Sequence, residues 1–366
     1  VYRLPDGTFS IGSLARSARY MKPHATAFSP ALLLGAALVP PADVECHAAV
    51  QASLLQLPFE VREEGVQLEG RHIPVKALVE LLAADLVKVV SDMGITGAGK
   101  RGIPPAVISY PSFFSQNACI ALEETLSRAG VLTVDLVPDA VSAYIGAVEA
   151  GEKVPGRAEA LAGQTVQVAV VDVGGRLCQI GLLHVSPCPE AVSGLNVQLM
   201  NEKTIFDVGG EFVDEAIALH FAQKFQDKYG VNLMADPQAK QRLFDASEGA
   251  KKDLTRMKQT SVNVPYITAT AAGTLHLDQI ITRAQLQGML DTQEARAAAA
   301  LTALLMDPTN TGNAPLAGVL LAGGSSRMQF VRRAVEKATG MVPLEAKEPE
   351  ALSAAGAAAY ARYKAD

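Results

Sequence analysis

The sequence predicts an α/β protein of two lobes, and three observations lead there. Apolar runs of strand length at 106–110, 131–137, 166–172 and 318–321 alternate with helix-length stretches, the pattern of sheets flanked by helices. With 366 residues the chain exceeds what one compact core ordinarily holds. Glycine-rich turns recur in both halves at strand or helix edges, a coarse echo between the two parts. The segment 151–164, rich in glycine, proline and charge, reads as the linker. It divides a first lobe, 1–164, from a second, 165–366, whose last helix, about 349–364, is expected to pack back on the first lobe.

A short strand, a turn at Asp6-Gly7 and a second strand ending near Gly12 open the chain, and a basic helical stretch runs from Leu14 to Tyr20. Prolines at 23, 30, 40, 41 and 58 then break the pattern. Val75, Leu78, Val79, Leu82, Leu86, Val89, Val90 and Met93 recur at helical spacing, so 75–93 is an amphipathic helix, ended by Gly94. A loop rich in glycine follows it, at Gly97, Gly99 and Gly102. The strand 106–110, a helix capped near Ser115 and closed by Gly130, and the strand 131–137 form a parallel crossover. Pro138 starts the next helix, which runs to about Ala150.

In the second half, 166–172 and 177–185 flank Gly174-Gly175 as a hairpin. Helices are expected over 211–229 and 237–258, a strand over 261–268, a strand over 318–321, and helices over 327–339 and 350–364.

A formal charge of -6 excludes a general nucleic-acid binder, which would carry a basic face. No run approaches the roughly 18 apolar residues of a membrane span. Cys46, Cys119, Cys178 and Cys188 form no CxxC pair, so neither a zinc ribbon nor a disulfide framework is expected, and a reducing compartment fits. The neighbours Cys46 and His47 lack a second ligand pair nearby and read as structural.

Three glycine pairs concentrate the chemistry: Gly174-Gly175 after Asp172, Gly209-Gly210 before Glu211, and Gly323-Gly324 before Ser325. Glycine lets backbone amides approach phosphate oxygens, and a following helix start adds partial positive charge. One pair alone signals no more than a tight turn. Three at such edges point to phosphate binding.

Several stretches together resemble the nucleotide-binding domain of the seventy-kilodalton heat-shock chaperones. Ala106-Val-Ile-Ser-Tyr-Pro-Ser-Phe-Phe-Ser115 is similar to the family's AVITVPAYFND, and Val170-Val-Asp-Val-Gly-Gly175 to the YDLGGGTFDVS phosphate motif. Val208-Gly-Gly-Glu211 is similar to LGGEDFD, and 241–254, with Glu248 and Lys251, to ERAKxxLS. Leu321-Ala-Gly-Gly-Ser-Ser-Arg327 resembles the adenosine motif VGGxTR, and 349–356 resembles PDEAVAxGAA. The resemblance implies an actin-like ATPase fold: two lobes, each a mixed sheet flanked by helices, with nucleotide in the cleft between them.

The resemblance assigns the adenosine side to Glu248 and Lys251 for the ribose, Thr255 near the base, Gly323, Gly324 and Ser325 lining the adenine slot, Arg327 stacking over it, and Glu350 beside it. Gly209 and Gly210 would offer amides to the phosphates, with Gly174 and Gly175 in the phosphate loop. Asp172 stands at the carboxylate that positions magnesium and water. Departures gather around it. Arg176 replaces the third loop glycine, Leu177 a threonine and Gln179 a second carboxylate, while Val137 falls on a glutamate position and Ala31 on a catalytic lysine.

Phosphoryl transfer rests on positioned charge, so these losses together imply no useful turnover. ATP or ADP binding is then weakened or absent, and a magnesium site is doubtful. The expected role is that of a catalytically silent, cytoplasmic or organellar subunit that binds protein partners, whether co-chaperones, a ribosome or another large assembly, with neither membrane nor sequence-specific nucleic acid among them. The alternative is an ATP-binding chaperone that hydrolyses slowly. Arg176 is expected to offer its guanidinium to Asp172 and hold the cleft closed. The family's first phosphate hairpin, DLGTT, would lie upstream of Val1 or have been shed, and the family's peptide-binding domain is not expected within residues 1–366.

Overall fold

The computed structural model describes residues 1–37, 44–62, 64–95, 97, 103–271, 273–310 and 314–365. Pro40, Pro41, Gly99 and Gly102 lie outside the described residues, as do the side chains of Cys46 and His47.

The second half is built on a five-stranded mixed sheet in the order Leu195–Ile205, Cys178–Pro187, Val166–Val173, Leu316–Ala322, Leu344–Glu345. The first two pairings are antiparallel and the last two parallel. The central strand explains its own apolar run. Val166, Val168 and Val170 enter one core, and Ala169, Val171 and Val173 the other, because successive side chains alternate faces and both faces are covered. On one face lie the helices Gly210–Tyr229, Pro237–Arg256 and Gln329–Thr339, packed through Phe221, Phe225, Leu243 and Phe330. On the other lie Asp139–Glu149 and Leu352–Ala365, packed through Tyr144, Ile145 and Leu352.

Those last two helices touch backbone to backbone. A Cβ on Gly356 would overlap the Ser142 carbonyl, and one on Gly146 the Leu352 carbonyl. Ser142 Oγ also donates to Ser353 O at 2.7 Å. The helix Asp139–Glu149 lies equally tight on the sheet at Gly181, where an added Cβ would come 2.6 Å from Ala140 Cβ.

In the first half the strands Ala106–Tyr110 and Thr133–Pro138 pair in parallel, joined by the helix Gln116–Ala129. Ser115 Oγ caps that helix by accepting from Ala118 N, and Gly130 closes it at φ 96°. The helix Val75–Asp92 follows the predicted amphipathic stretch. The N-terminal hairpin of Tyr2–Arg3 and Phe9–Ser10 leads into the helix Ser13–Ala18.

Two expectations need correction. Residues 151–164 are no bare linker: they hold the helix Arg157–Leu161, bury Val154 and Ala160, and accept the Tyr144 hydroxyl on Pro155 O at 3.0 Å. Gly324–Arg327 is a 3-10 turn, and the regular helix begins only at Gln329. The small sheet Glu60–Arg62, Gly65–Leu68, Arg71–Pro74, the strand Leu195–Ile205, the strand Gly273–Thr282 and the helices Arg283–Met289 and Asp291–Leu305 are further elements beyond the sequence expectations.

Candidate functional site

A cleft of about 950 Å³ opens between the N-terminal segment and the second-half helices. One wall is the helix Pro237–Arg256, whose start is fixed by Asp236 accepting from Gln238 N and Ala239 N. Glu248, Lys251, Lys252 and Thr255 recur along it at helical spacing and all line the cleft. Lys251 Nζ reaches Asp214 at 2.8 Å and Gly210 O at 3.1 Å. Glu248 pairs with Arg16 across the cleft and with Lys252 at 2.8 Å, and Thr255 donates to Lys252 O. Glu248 and Lys251 thus hold different partners rather than each other.

The turn after the strand Leu316–Ala322 forms the second wall with Gly324, Ser325 and Arg327, and Glu350 borders it. Arg327 is braced by Glu350 at 2.9 Å and by Lys347 O at 2.7 Å. Gly323 sits just behind at φ 76°, where a Cβ would overlap Asp172 Oδ1 and come 2.5 Å from Val173 O. Only glycine meets both demands.

Asp172 stands next to last in the central strand and pairs in register with Gln179. Desolvation, and then the charge of Asp139, push its carboxyl up to about 7. Asp139 is also raised, by burial, against the opposing hydrogen bonds from Ser109 and Gln179. Gln179 therefore bridges, since its Oε1 accepts from Ser112 N at 2.9 Å and from Ser112 Oγ at 3.2 Å. Glu202 belongs to the same polar cluster, pushed up to about 7 by burial while hydrogen-bonded to Ser112. Asp139 and Glu202 were not expected here; Asp139 reads in sequence as an ordinary first-turn acid of a helix.

The glycine loop is stitched to the next helix. Gly174 N donates to Leu177 O at 2.9 Å, Gly210 N to Gly174 O at 3.0 Å, and Glu211 N to Gly175 O at 2.7 Å. The Gly210 amide, expected to face phosphate, is thus already engaged. Gly209 fits only as glycine, since a Cβ would come 2.5 Å from Gly175 O. Of the loop glycines, Gly175 lines the cleft.

Arg176 does not reach Asp172 as expected. Its NH1 donates to Glu211 Oε2 at 3.1 Å, and the same oxygen accepts from Arg19 NH2 at 2.6 Å. Glu211 lies within reach of Arg176, whereas burial disfavours the charged form of Asp172 and so weakens it as a partner for a cation. At the substituted positions, Ala31 is exposed on the helix Pro30–Ala37, Val137 is buried in the core and Leu177 packs near Leu32 and Phe206.

A mixed sheet with an acid near the end of its central strand, and a cleft between the helix bearing Glu248 and Lys251 and a Gly-Ser-Arg turn, accord with the actin-like ATPase class. Within that class the chain belongs to the Hsp70 family, whose family model, Hsp70 protein, matches residues 5–364. It is 32% identical over 256 residues to heat shock protein hsp-6 of Caenorhabditis elegans, covering 69% of this chain and 36% of that protein. It is 32% identical over 260 residues to chaperone protein DnaK of Halobacterium salinarum, covering 70% of this chain and 38% of that protein. The chain thus spans little more than a third of the length of these curated relatives.

Proposed function

We propose that this chain is the nucleotide-binding part of a chaperone, that its cleft takes an adenine nucleotide weakly, and that it hydrolyses ATP poorly or not at all, serving chiefly to bind protein partners within a larger assembly. The observation that carries the binding half is the opposition of Glu248, Lys251 and Thr255 to Gly324, Ser325 and Arg327 across one cleft. The apolar or small side chains at Ala31, Val137 and Leu177 support the catalytic half, since none can hold a γ-phosphate or orient water.

Among the described residues no group of three or more His, Cys, Asp or Glu could hold a metal ion. The pair Asp139 and Asp172 nonetheless fits a hydrated magnesium ion, because burial raises both carboxyls and the charge of Asp139 raises Asp172 further, a strain that a divalent cation would relieve. When bound, that ion would neutralise phosphate charge. This pair is the observation favouring the second reading, a slow ATP-dependent chaperone.

Calorimetry with ADP, and phosphate release from ATP with magnesium, test the proposal. ADP binding weakened at least tenfold by Lys251→Ala, with phosphate release no faster than in Asp172→Asn, is expected. Release that Asp172→Asn abolishes would establish a working ATPase instead.

A further inference from the structure

The meeting of Arg19 and Arg176 on one carboxylate oxygen is unusual. Both guanidiniums donate to Glu211 Oε2, and the two cations share a single negative charge. The Arg176 side chain is only 9% exposed, yet its Nε and NH2 are buried without partners, as is Arg19 Nε. A guanidinium has five donors in a planar fork, and leaving buried donors unmet is costly. Arg176 is otherwise braced only loosely, with its charge 5.5 Å from the Phe212 ring, while Arg19 lies 3.7 Å over the Phe28 ring.

Part of the backbone that would ordinarily answer an anion is already committed. The amides of Gly174, Gly210 and Glu211 are already donated to carbonyls within the loop and helix start. Side chains can add donors there. Arg19, Phe28, Gly175 and Glu211 all border the cleft, so an entering anion meets Arg19 and Glu211 directly and the buried Arg176 through Glu211, its partner.

We propose that Arg19 and Arg176 form a phosphate receptor in which the Glu211 carboxylate is a placeholder, displaced when the terminal phosphate of a nucleotide or a free polyphosphate binds. A phosphate dianion neutralises both cations and offers three acceptor oxygens to the donors Glu211 leaves unmet. Glu211 then turns toward the open cleft, where it is already 26% exposed. For the nucleotide case this rests on the proposed function above, and free polyphosphate separates the two.

The test is calorimetry in EDTA on the full chain and on Arg176→Ala, Arg176→Lys and Glu211→Gln, with adenosine, ADP and sodium tripolyphosphate. ADP at least tenfold tighter than adenosine is expected, and Arg176→Ala should bring the two together while leaving adenosine unchanged. Glu211→Gln should tighten ADP and tripolyphosphate severalfold, because the competing charge is gone. Adenosine that fails to bind, beside tripolyphosphate that binds through Arg176, sinks the nucleotide reading and leaves the receptor standing. The receptor is overturned if ADP and tripolyphosphate ignore both Arg176 variants, if neither anion binds, or if Glu211→Gln weakens them. Should Arg176→Ala not fold, Arg176→Lys and Glu211→Gln decide the matter by the same outcomes.

Discussion

Asp172 concentrates the chemistry at the scale of single residues. Its carboxyl titrates near 7 in the fold against about 4 when unfolded, so the folded state binds more protons over the interval between. A raised acid of this kind contributes fully below the unfolded value, and its contribution disappears as pH climbs through the folded one. Asp172→Asn, which has no charge to bury, should therefore raise the melting temperature at pH 8 by an amount worth about 2–4 kcal/mol and have little effect at pH 4. Equal shifts at both pH values would show that desolvation does not govern this side chain. Gly323→Ala tests the same corner sterically. Its Cβ would strike Asp172 and the Val173 backbone at a positive φ, so a loss of about 2–4 kcal/mol in urea denaturation is expected. Asp172 and Gly323 were legible in the sequence because each falls in a motif. Asp139 was not, since it stands two residues past the family glutamate position, and only the tight seat of its helix on Gly181 brings it beside Gln179.

At the scale of elements, legibility followed contrast. The helix Val75–Asp92 announces itself by a polar face, and Gln116–Ala129 by a serine cap and a closing glycine. Pro30–Ala37 is apolar throughout and offers no such periodicity, while alanine blurs the pattern of Asp291–Leu305. Leu195–Ile205 lies at the sheet edge, with polar residues from Asn201 to Thr204, so it lacks the apolar run that marked its neighbours. The crossing of Asp139–Glu149 with Leu352–Ala365 depends on two glycines whose meaning appears only in pairs. Gly356→Ala should force the helices apart and cost more than 3 kcal/mol, whereas Ser115→Ala, which removes one cap bond, should cost about 1 kcal/mol. Chemical denaturation of both variants ranks them, and a reversed order would mean that the crossing yields easily.

For the molecule as a whole, the N-terminal segment closes the cleft by reaching across to two helices. Arg16 pairs with Glu248, Arg19 with Glu211, Tyr20 N donates to Gln241 Oε1 at 2.9 Å, and the Tyr20 ring stacks on Phe244 with centroids 4.3 Å apart. These contacts differ in kind. The Arg16 side chain is 60% exposed, so its ion pair is screened by salt and worth at most about 1 kcal/mol. The Tyr20–Phe244 stack is half-buried and apolar, and salt does not screen it. Tyr20→Ala should then loosen the segment at any ionic strength, and Arg16→Ala only at low salt. Hydrogen exchange reads the difference, because local opening need not disturb the sheet. Protection across residues 13–25 should fall in Tyr20→Ala while the central strand Val166–Val173 keeps its own, buried on both faces. If protection instead falls evenly over segment and strand, the seam is part of the global fold and no separate closure of the cleft exists.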